Sequence, residues 1–442
     1  MASRGHGRKL LRDTWRLLRD PLPYYDEVRR QRGDFAELSL GPRPARLVSD
    51  PAAVAEILRR DVDEFRKGYG NDALAPLIAG SVFLAEGEAW KRQRPIMVAA
   101  LRRRVLAERL PIVATCVDAM LDRWFAEGTR AEVNLADEIR ESSTSIASRA
   151  LLGSPRFDED PSLRADLDAV WREIYRRLVH PLSARLSGSR RRAYEQALRR
   201  VFEAARACVE HGATQDEPHP SPLAVLLESA DLSDEEALAE AMMLIVTGQE
   251  CVAIATTWAL VLLAQHAPAR ARVREEFDVA AAGEHAVGTV GWVESLTYTR
   301  AAVDEAMRLY PPAWMFSRRS ERPIELEGAT IGEDEEVLIC PHVTHRDEGR
   351  WTEPKRFDPT RFLPKGEGRT TARRSYLPFG SGPRTCAGIV WARWQAVATV
   401  ALVVGRADLD VPHDARPPRR PGLTLRPEGP LPSIVRALPP RP

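Results

Sequence analysis

The sequence predicts a mainly α fold with a minor β portion, and three observations predict it. Between about residues 50 and 310, apolar residues recur at three- and four-residue spacing, the period of helices with one buried face. The stretch before this region, and most of the stretch after Pro311 and Pro312, reads as short extended pieces punctuated by Gly and Pro. A composition of 44% hydrophobic and 29% charged residues is that of a globular chain with apolar surface for a sizeable core. No repeat of 20 to 50 residues and no Gly/Ser linker divides the 442 residues. The expected organisation is therefore a single domain over residues 1–442, with about 1–20 as an N-terminal extension.

From about residue 30 to 50, Phe35, Glu37, Leu38, Leu40, Ala45, Leu47 and Val48 alternate as a half-buried hairpin would. Leu106, Leu110, Val113, Val117 and Met120 then form a helical apolar ladder. Ala241 to Gln265 is the most apolar long run, and its length suits a membrane span. Against that reading, Thr247, Gly248, Gln249 and Glu250 sit in its middle, where an ionisable group is costly at mid-bilayer. Ser233 with Glu236 three residues later is a capping-box signal for a helix that begins in water. The expectation is one helix over 234–265 through the core of a soluble protein, interrupted where a polar group is wanted. Ile324–Ile331 and Glu336–Cys340 read as extended pieces, and Gly388 to Val404 as a last apolar helix before a Pro-rich end.

Sixty-four Lys plus Arg against 63 Asp plus Glu gives a net charge of +1, which supports neither nucleic-acid binding nor a general membrane-surface role. The run Arg190, Arg191, Arg192 reads as a solvated helix face. Five scattered cysteines, Cys116, Cys208, Cys251, Cys340 and Cys386, with no CxxC pair, argue against a disulfide framework or a zinc site and fit a reducing cytoplasm. Met1 to Arg30 is basic without a continuous apolar core, so neither a signal peptide nor a membrane anchor is expected.

The most informative stretch is Phe379-Gly380-Ser381-Gly382-Pro383-Arg384-Thr385-Cys386-Ala387-Gly388, followed at once by the helical pattern. Glycines flanking a Cys let the backbone turn tightly and approach a flat ligand. A helix starting just after the Cys turns free N–H groups and its positive end toward the sulfur, a setting that stabilises a thiolate. The Lys of a phosphate loop and the third Gly of a dinucleotide fingerprint are both missing. A buried structural Cys in a Gly-rich turn is the plain alternative.

Phe379, Gly382, Arg384, Cys386 and Gly388 match every fixed position of the haem-binding signature of the cytochrome P450 family, and the chain resembles that family from about residue 20 to its C-terminus. The resemblance implies the P450 fold, with a long central helix crossing the haem, haem b as cofactor, and Cys386 as axial iron ligand, whose electron push favours O–O cleavage. Three further matches stand in family order. Glu305 and Arg308, by spacing alone an ordinary surface pair, resemble the family's buried Glu-x-x-Arg. Arg361 of Pro359-Thr360-Arg361-Phe362, rather than Arg356, is the implied third member, supporting the haem-side loop. Trp90 and Arg94, by spacing alone a basic helix face, resemble the family's Trp-x-x-x-Arg pair at a haem propionate. Arg384 and Arg318 are the other implied propionate partners, with Arg319 adjacent to the latter. No room remains for a fused reductase, so ferredoxin or flavodoxin with its reductase is the implied electron source, unless peroxide substitutes.

One departure stands out. The family's small residue, Gly, any residue, acid, Thr is here Thr247-Gly248-Gln249-Glu250-Cys251. The implied catalytic set is Gly248, leaving room for oxygen; Glu250, carrying protons with water; and Cys251, filling the space of the usual Thr with a weaker donor. A substrate hydroxyl completing the relay, or phenol coupling, are the alternatives. The expected pocket is lined by the 69–85 loop, Met242 to Val246 and Ala313 to Phe316. Trp314, Met315 and Phe316 suit either an apolar ligand or core packing. The expected activity is insertion of one oxygen atom from O2 into a small apolar organic substrate, in bacterial secondary metabolism. The rivals are a haem-thiolate isomerase, dehydratase or peroxygenase, and a non-catalytic haem-binding protein.

Overall fold

A capping box starts the helix around which the other elements are arranged. Ser233 Oγ accepts the Glu236 N–H at 3.2 Å, and a Glu236 carboxylate oxygen accepts the Ser233 N–H at 3.0 Å. From there Asp234–Gln265 runs as one α-helix. The expected interruption is absent. The Thr247 hydroxyl donates to Met243 O one turn back at 2.7 Å, so the polar group is satisfied within the helical ladder. By length and composition this helix meets the requirement for a membrane span, yet 78% of its apolar window is buried inside the protein. Helices Leu135–Ile146, Thr297–Leu309 and Ile389–Arg406 pack around it in the main core cluster. The computed structural model describes residues 15–17, 19–39, 44–179, 188–214, 219–366, 375–416 and 421–439. Leu40 of the expected hairpin and most of the 1–20 extension lie outside these.

Ten strands are described: β1 (Phe35–Ser39), β2 (Pro44–Val48), β3 (Phe65–Lys67), β4 (Arg130–Asn134), β5 (Phe316–Ser320), β6 (Ile324–Leu326), β7 (Ala329–Ile331), β8 (Glu336–Ile339), β9 (Ala407–Asp410) and β10 (Pro432–Ala437). The hairpin β1–β2 is present in the register Phe35↔Val48. Its sheet runs β1-β2-β8-β5-β3, with β8 parallel to β2 and β3 on the edge opposite Arg318 and Arg319. β6 and β7 form a small hairpin, and β10 lies between β4 and β9. β3 and β4 interrupt a region read as helix, and β9 and β10 occupy the Pro-rich end. Each is three to six residues long and held by distant partners, so no local periodicity announces it. The apolar ladder from Leu106 to Met120 is buried at all five positions but belongs to two helices. Pro111, at the start of the second, supplies no N–H to continue the first.

Trp314 settles as core rather than pocket. It is buried against Tyr25, and its indole N–H donates to Gly422 O at 2.9 Å. Met315 packs partly on the same cluster, and Phe316 on the neighbouring one beneath the Arg318 guanidinium.

Candidate functional site

The cysteine loop closes on itself before its helix begins. Cys386 N–H donates to Phe379 O at 3.0 Å and Thr385 N–H to Gly382 O at 3.1 Å. Two glycines are demanded by conformation, Gly380 at φ +67° and Gly382 at φ +74°. Gly382 is demanded by space as well, since a Cβ there would lie 2.0 Å from Leu58 O. Gly388 has an ordinary φ of −86° and is the N-cap of Ile389–Arg406. Its N–H donates to Cys386 Sγ, and together with the charge of Arg94 this pulls the thiol pKa down. Burial outweighs both, so the net direction is upward. A cation bonded to the sulfur would favour the thiolate. Cys386 is nonetheless exposed, while the Phe379 ring lies under Arg393 at 5.1 Å.

Beside this loop the expected cations converge. Arg384 stacks on the Trp90 ring at 5.1 Å, donates to Ala85 O at 3.2 Å and pairs with Glu86. Arg318 donates to Asp61 Oδ1 at 2.6 Å, and Arg384 Nε lies 3.6 Å from that same oxygen. Arg94, from the helix Gly87–Ala100 that also carries Trp90, donates to Thr385 O. Alternation along β5 separates the two adjacent arginines: Arg318 points into the cluster, whereas Arg319 points to Tyr69 and Asp334.

Sequence reasoning missed three members of this cluster. Lys67, opposite Arg318 across β3 and β5, donates from Nζ to Ala85 O at 3.0 Å, and its backbone N–H donates to Glu86 at 2.9 Å. Burial and the neighbouring Arg384 and Arg318 bring its pKa down to about 7, against the opposing pull of Glu86 and Asp61. Asp61 and Glu86 are the carboxylates. The guanidinium groups of Arg94, Arg318 and Arg384 face two acids, which leaves one positive charge over, and Lys67, close to its titration point, adds part of another. Asp61 Oδ2 and Arg384 Nε are buried without hydrogen-bond partners. A dianionic edge beside an accessible thiol is what this arrangement fits, so haem b with its two carboxylates suits the residues present.

Glu305 and Arg308 are both fully buried and doubly bonded, Nε–Oε2 and Nη2–Oε1 each at 2.7 Å. Arg308 also donates to the carbonyls of His345, Pro354 and Arg356 at 2.7 to 3.2 Å, which fixes the chain on either side of Trp351. Arg361 Nε stands 3.4 Å from Glu305 Oε1, while the Arg356 side chain is exposed and pairs with Glu353. The third member by position is Arg361.

On the long helix, every residue from Ala239 to Val261 is buried except Thr247, Gly248 and Cys251. Cys251 is near enough to Cys386 for the two sulfurs to interact electrostatically. A Cβ on Gly248 would lie 2.5 Å from Leu151 Cδ1, the end of a flexible side chain on the π-helical turn Ala147–Leu151, so the helix passes close to that turn here. Glu250 turns the other way. Its carboxylate receives Arg426 Nε and Nη2 at 2.6 and 2.7 Å and Thr424 Oγ1 at 2.8 Å. It lines a pocket of about 360 Å³ with Asp137, Arg140, Asp168 and Arg172. Arg426 and Thr424 lie in the Pro-rich end, where no sequence signal marked them.

A family model described as Cytochrome P450 matches residues 16–432. The chain is 30% identical to cyclooctatin synthase of Streptomyces melanosporofaciens, over 88% of this chain and 86% of that one. It is 29% identical to cyclooctat-9-en-7-ol 5-monooxygenase of the same organism, over 90% and 87%, and 26% identical to pentalenene oxygenase of Streptomyces avermitilis, over 91% and 90%. Its fold is that of a retinoic-acid-bound cyanobacterial CYP120A1, with a TM-score of 0.82 at 20% identity and 94% of both chains covered. With the thiol, the cationic cluster and the long helix placed as described, the chain belongs to the cytochrome P450 family and is a haem b monooxygenase of that family.

Proposed function

We propose that the protein inserts one oxygen atom from O2 into a polycyclic terpenoid of bacterial secondary metabolism, with Cys386 as the residue whose sulfur would hold the haem iron. The relatives' names, cyclooctatin synthase and pentalenene oxygenase, support the substrate class. Electrons come from a ferredoxin or flavodoxin with its reductase, and the reaction takes place in the cytoplasm, in one catalytic domain spanning 1–442. Haem b supplies the oxygen activation. Arg94, Arg318, Arg384 and Lys67 hold its propionates beside Trp90, while Phe379 and Gly388 shape the cysteine loop. Glu305, Arg308 and Arg361 brace the segment that leads to the loop. Gly248 would leave room for oxygen, Cys251 would fill the space of the usual Thr, and Glu250 would draw protons from the pocket behind the helix.

The observation that carries this reading is the exposed Cys386 at a helix N-terminus beside a cluster with surplus positive charge. The test is the absorption spectrum of the dithionite-reduced protein with and without carbon monoxide. The expected result is a strongly red-shifted Soret band that Cys386→Ser abolishes; its retention in the variant overturns the ligand assignment. Cys251 in place of Thr favours one second reading, haem-thiolate chemistry without O2 as an isomerase or dehydratase. Product formed from substrate alone, without reductant, O2 or peroxide, would select it.

A further inference from the structure

Monooxygenation consumes protons as well as electrons. RH and O2 with two electrons and two protons give ROH and H2O, and the electrons come from the redox partner. Two protons must therefore reach the reacting oxygen for each turnover, and a group on the cavity side of the long helix has to seat the last donor. Glu250 does not face that side: both its oxygens are held by Arg426, with Thr424 on one of them, toward the pocket behind the helix. Gly248 has no side chain. The Cys251 thiol is a weak hydrogen-bonding group.

Thr247 is left. It is one turn before Cys251, so the two project from one face, and it carries the one hydroxyl among the accessible residues between Ala239 and Val261. Its proton is committed, since Oγ1 donates to Met243 O at 2.7 Å with Met243 Sδ at 3.3 Å. The oxygen's lone pairs remain available as acceptors toward the cavity.

We infer that Thr247 is the positioning residue for proton delivery: its Oγ1 accepts a hydrogen bond from a water whose other hydrogen points at the reacting oxygen, a task the side chain at 251 does not perform. That water would be the last proton donor and would regain its proton from solvent, while Thr247 keeps its own on Met243 O. This rests on Cys386 being the haem ligand beneath this helix face.

The test uses the ferrous–carbonyl form of the holoprotein, for which no substrate is needed. A water donating toward the ligand lowers the C–O stretch and makes it sensitive to D2O. Thr247→Val should raise the stretch and abolish the D2O sensitivity, and Thr247→Ser should keep both at parental values. A Thr247→Val spectrum identical to the parent's, with the red-shifted Soret band intact, overturns the inference, as does a shift produced by Cys251→Ala but not by Thr247→Val. Absence of the red-shifted band in the parent itself overturns the thiolate reading, and this one with it.

Discussion

Glu240 sits on the long helix with 1% of its surface exposed. One carboxyl oxygen accepts the Val82 N–H at 2.7 Å, and the other is buried with no partner. Burial raises its pKa from 4.5 to about 7; the Val82 N–H opposes this, and Glu236, itself held by Arg92 and Gln93, adds to it. The folded protein therefore keeps this proton up to about pH 7, while the unfolded chain releases it near 4.5. Between those values the unfolded state binds fewer protons, so stability falls as pH rises and levels off above 7. At 1.36 kcal/mol per unit the penalty is about 0.8 kcal/mol at pH 5 and about 3 kcal/mol at pH 8. Glu240→Gln keeps the acceptor for Val82 and removes the titration. Whatever constant offset the amide introduces, its stability relative to the parent should improve by about 2.5 kcal/mol from pH 5 to pH 8. For 442 residues the unfolding entropy is about 0.9 kcal/mol per kelvin, so the Tm difference should widen by about 3 °C. Thermal unfolding of both holoproteins at pH 5, 6, 7 and 8 measures it. A Tm difference that is flat across this range, or that moves the other way, refutes the reasoning.

Three other substitutions test the architecture. Arg308→Leu strips Glu305 of its buried partner and leaves three carbonyls without a donor, and should cost about 3–5 kcal/mol, read as a fall in Tm of about 3–5 °C. Gly382→Ala forces a positive φ on alanine and sets its Cβ against Leu58 O; by dislodging the cysteine loop it should lower the haem bound per chain, and a full haem complement would contradict the reading. Lys67→Met removes one charged donor from the cluster, worth about 1.5–3 kcal/mol, so transfer of haem to apomyoglobin should be about 10- to 100-fold faster. An unchanged transfer rate would remove Lys67 from the haem seat.

Much of this was legible because its signals are local. The Ser233–Glu236 box lies within one turn, and the Cys386 loop is ten consecutive residues with its helix attached. Arg361 was separable from Arg356 by its Pro-x-Arg-Phe setting, and the side chains divide accordingly. What escaped is held by distant chain. Lys67, Asp61 and Glu86 gain their meaning from Arg318 and Arg384, and Arg426 gains its meaning from Glu250. Trp314 was ambiguous because an apolar residue after a Pro pair suits a pocket wall or a core equally, until Tyr25 and Gly422 are seen beside it. The uninterrupted long helix shows the same limit from the other side. A polar run does not break a helix whose Thr can bond back to its own turn.

The seam between Arg94 and Thr385 joins positions 291 residues apart. Synthesis runs from the N-terminus, so Lys67, Trp90 and Arg94 emerge long before the loop bearing Cys386 exists. A nascent chain that stops short of that loop has Lys67, Trp90 and Arg94 but neither Arg384 nor the thiol. The seat for the haem is thereby completed by the last part of the chain to be made, and a truncation before residue 379 removes both its thiol and its central arginine.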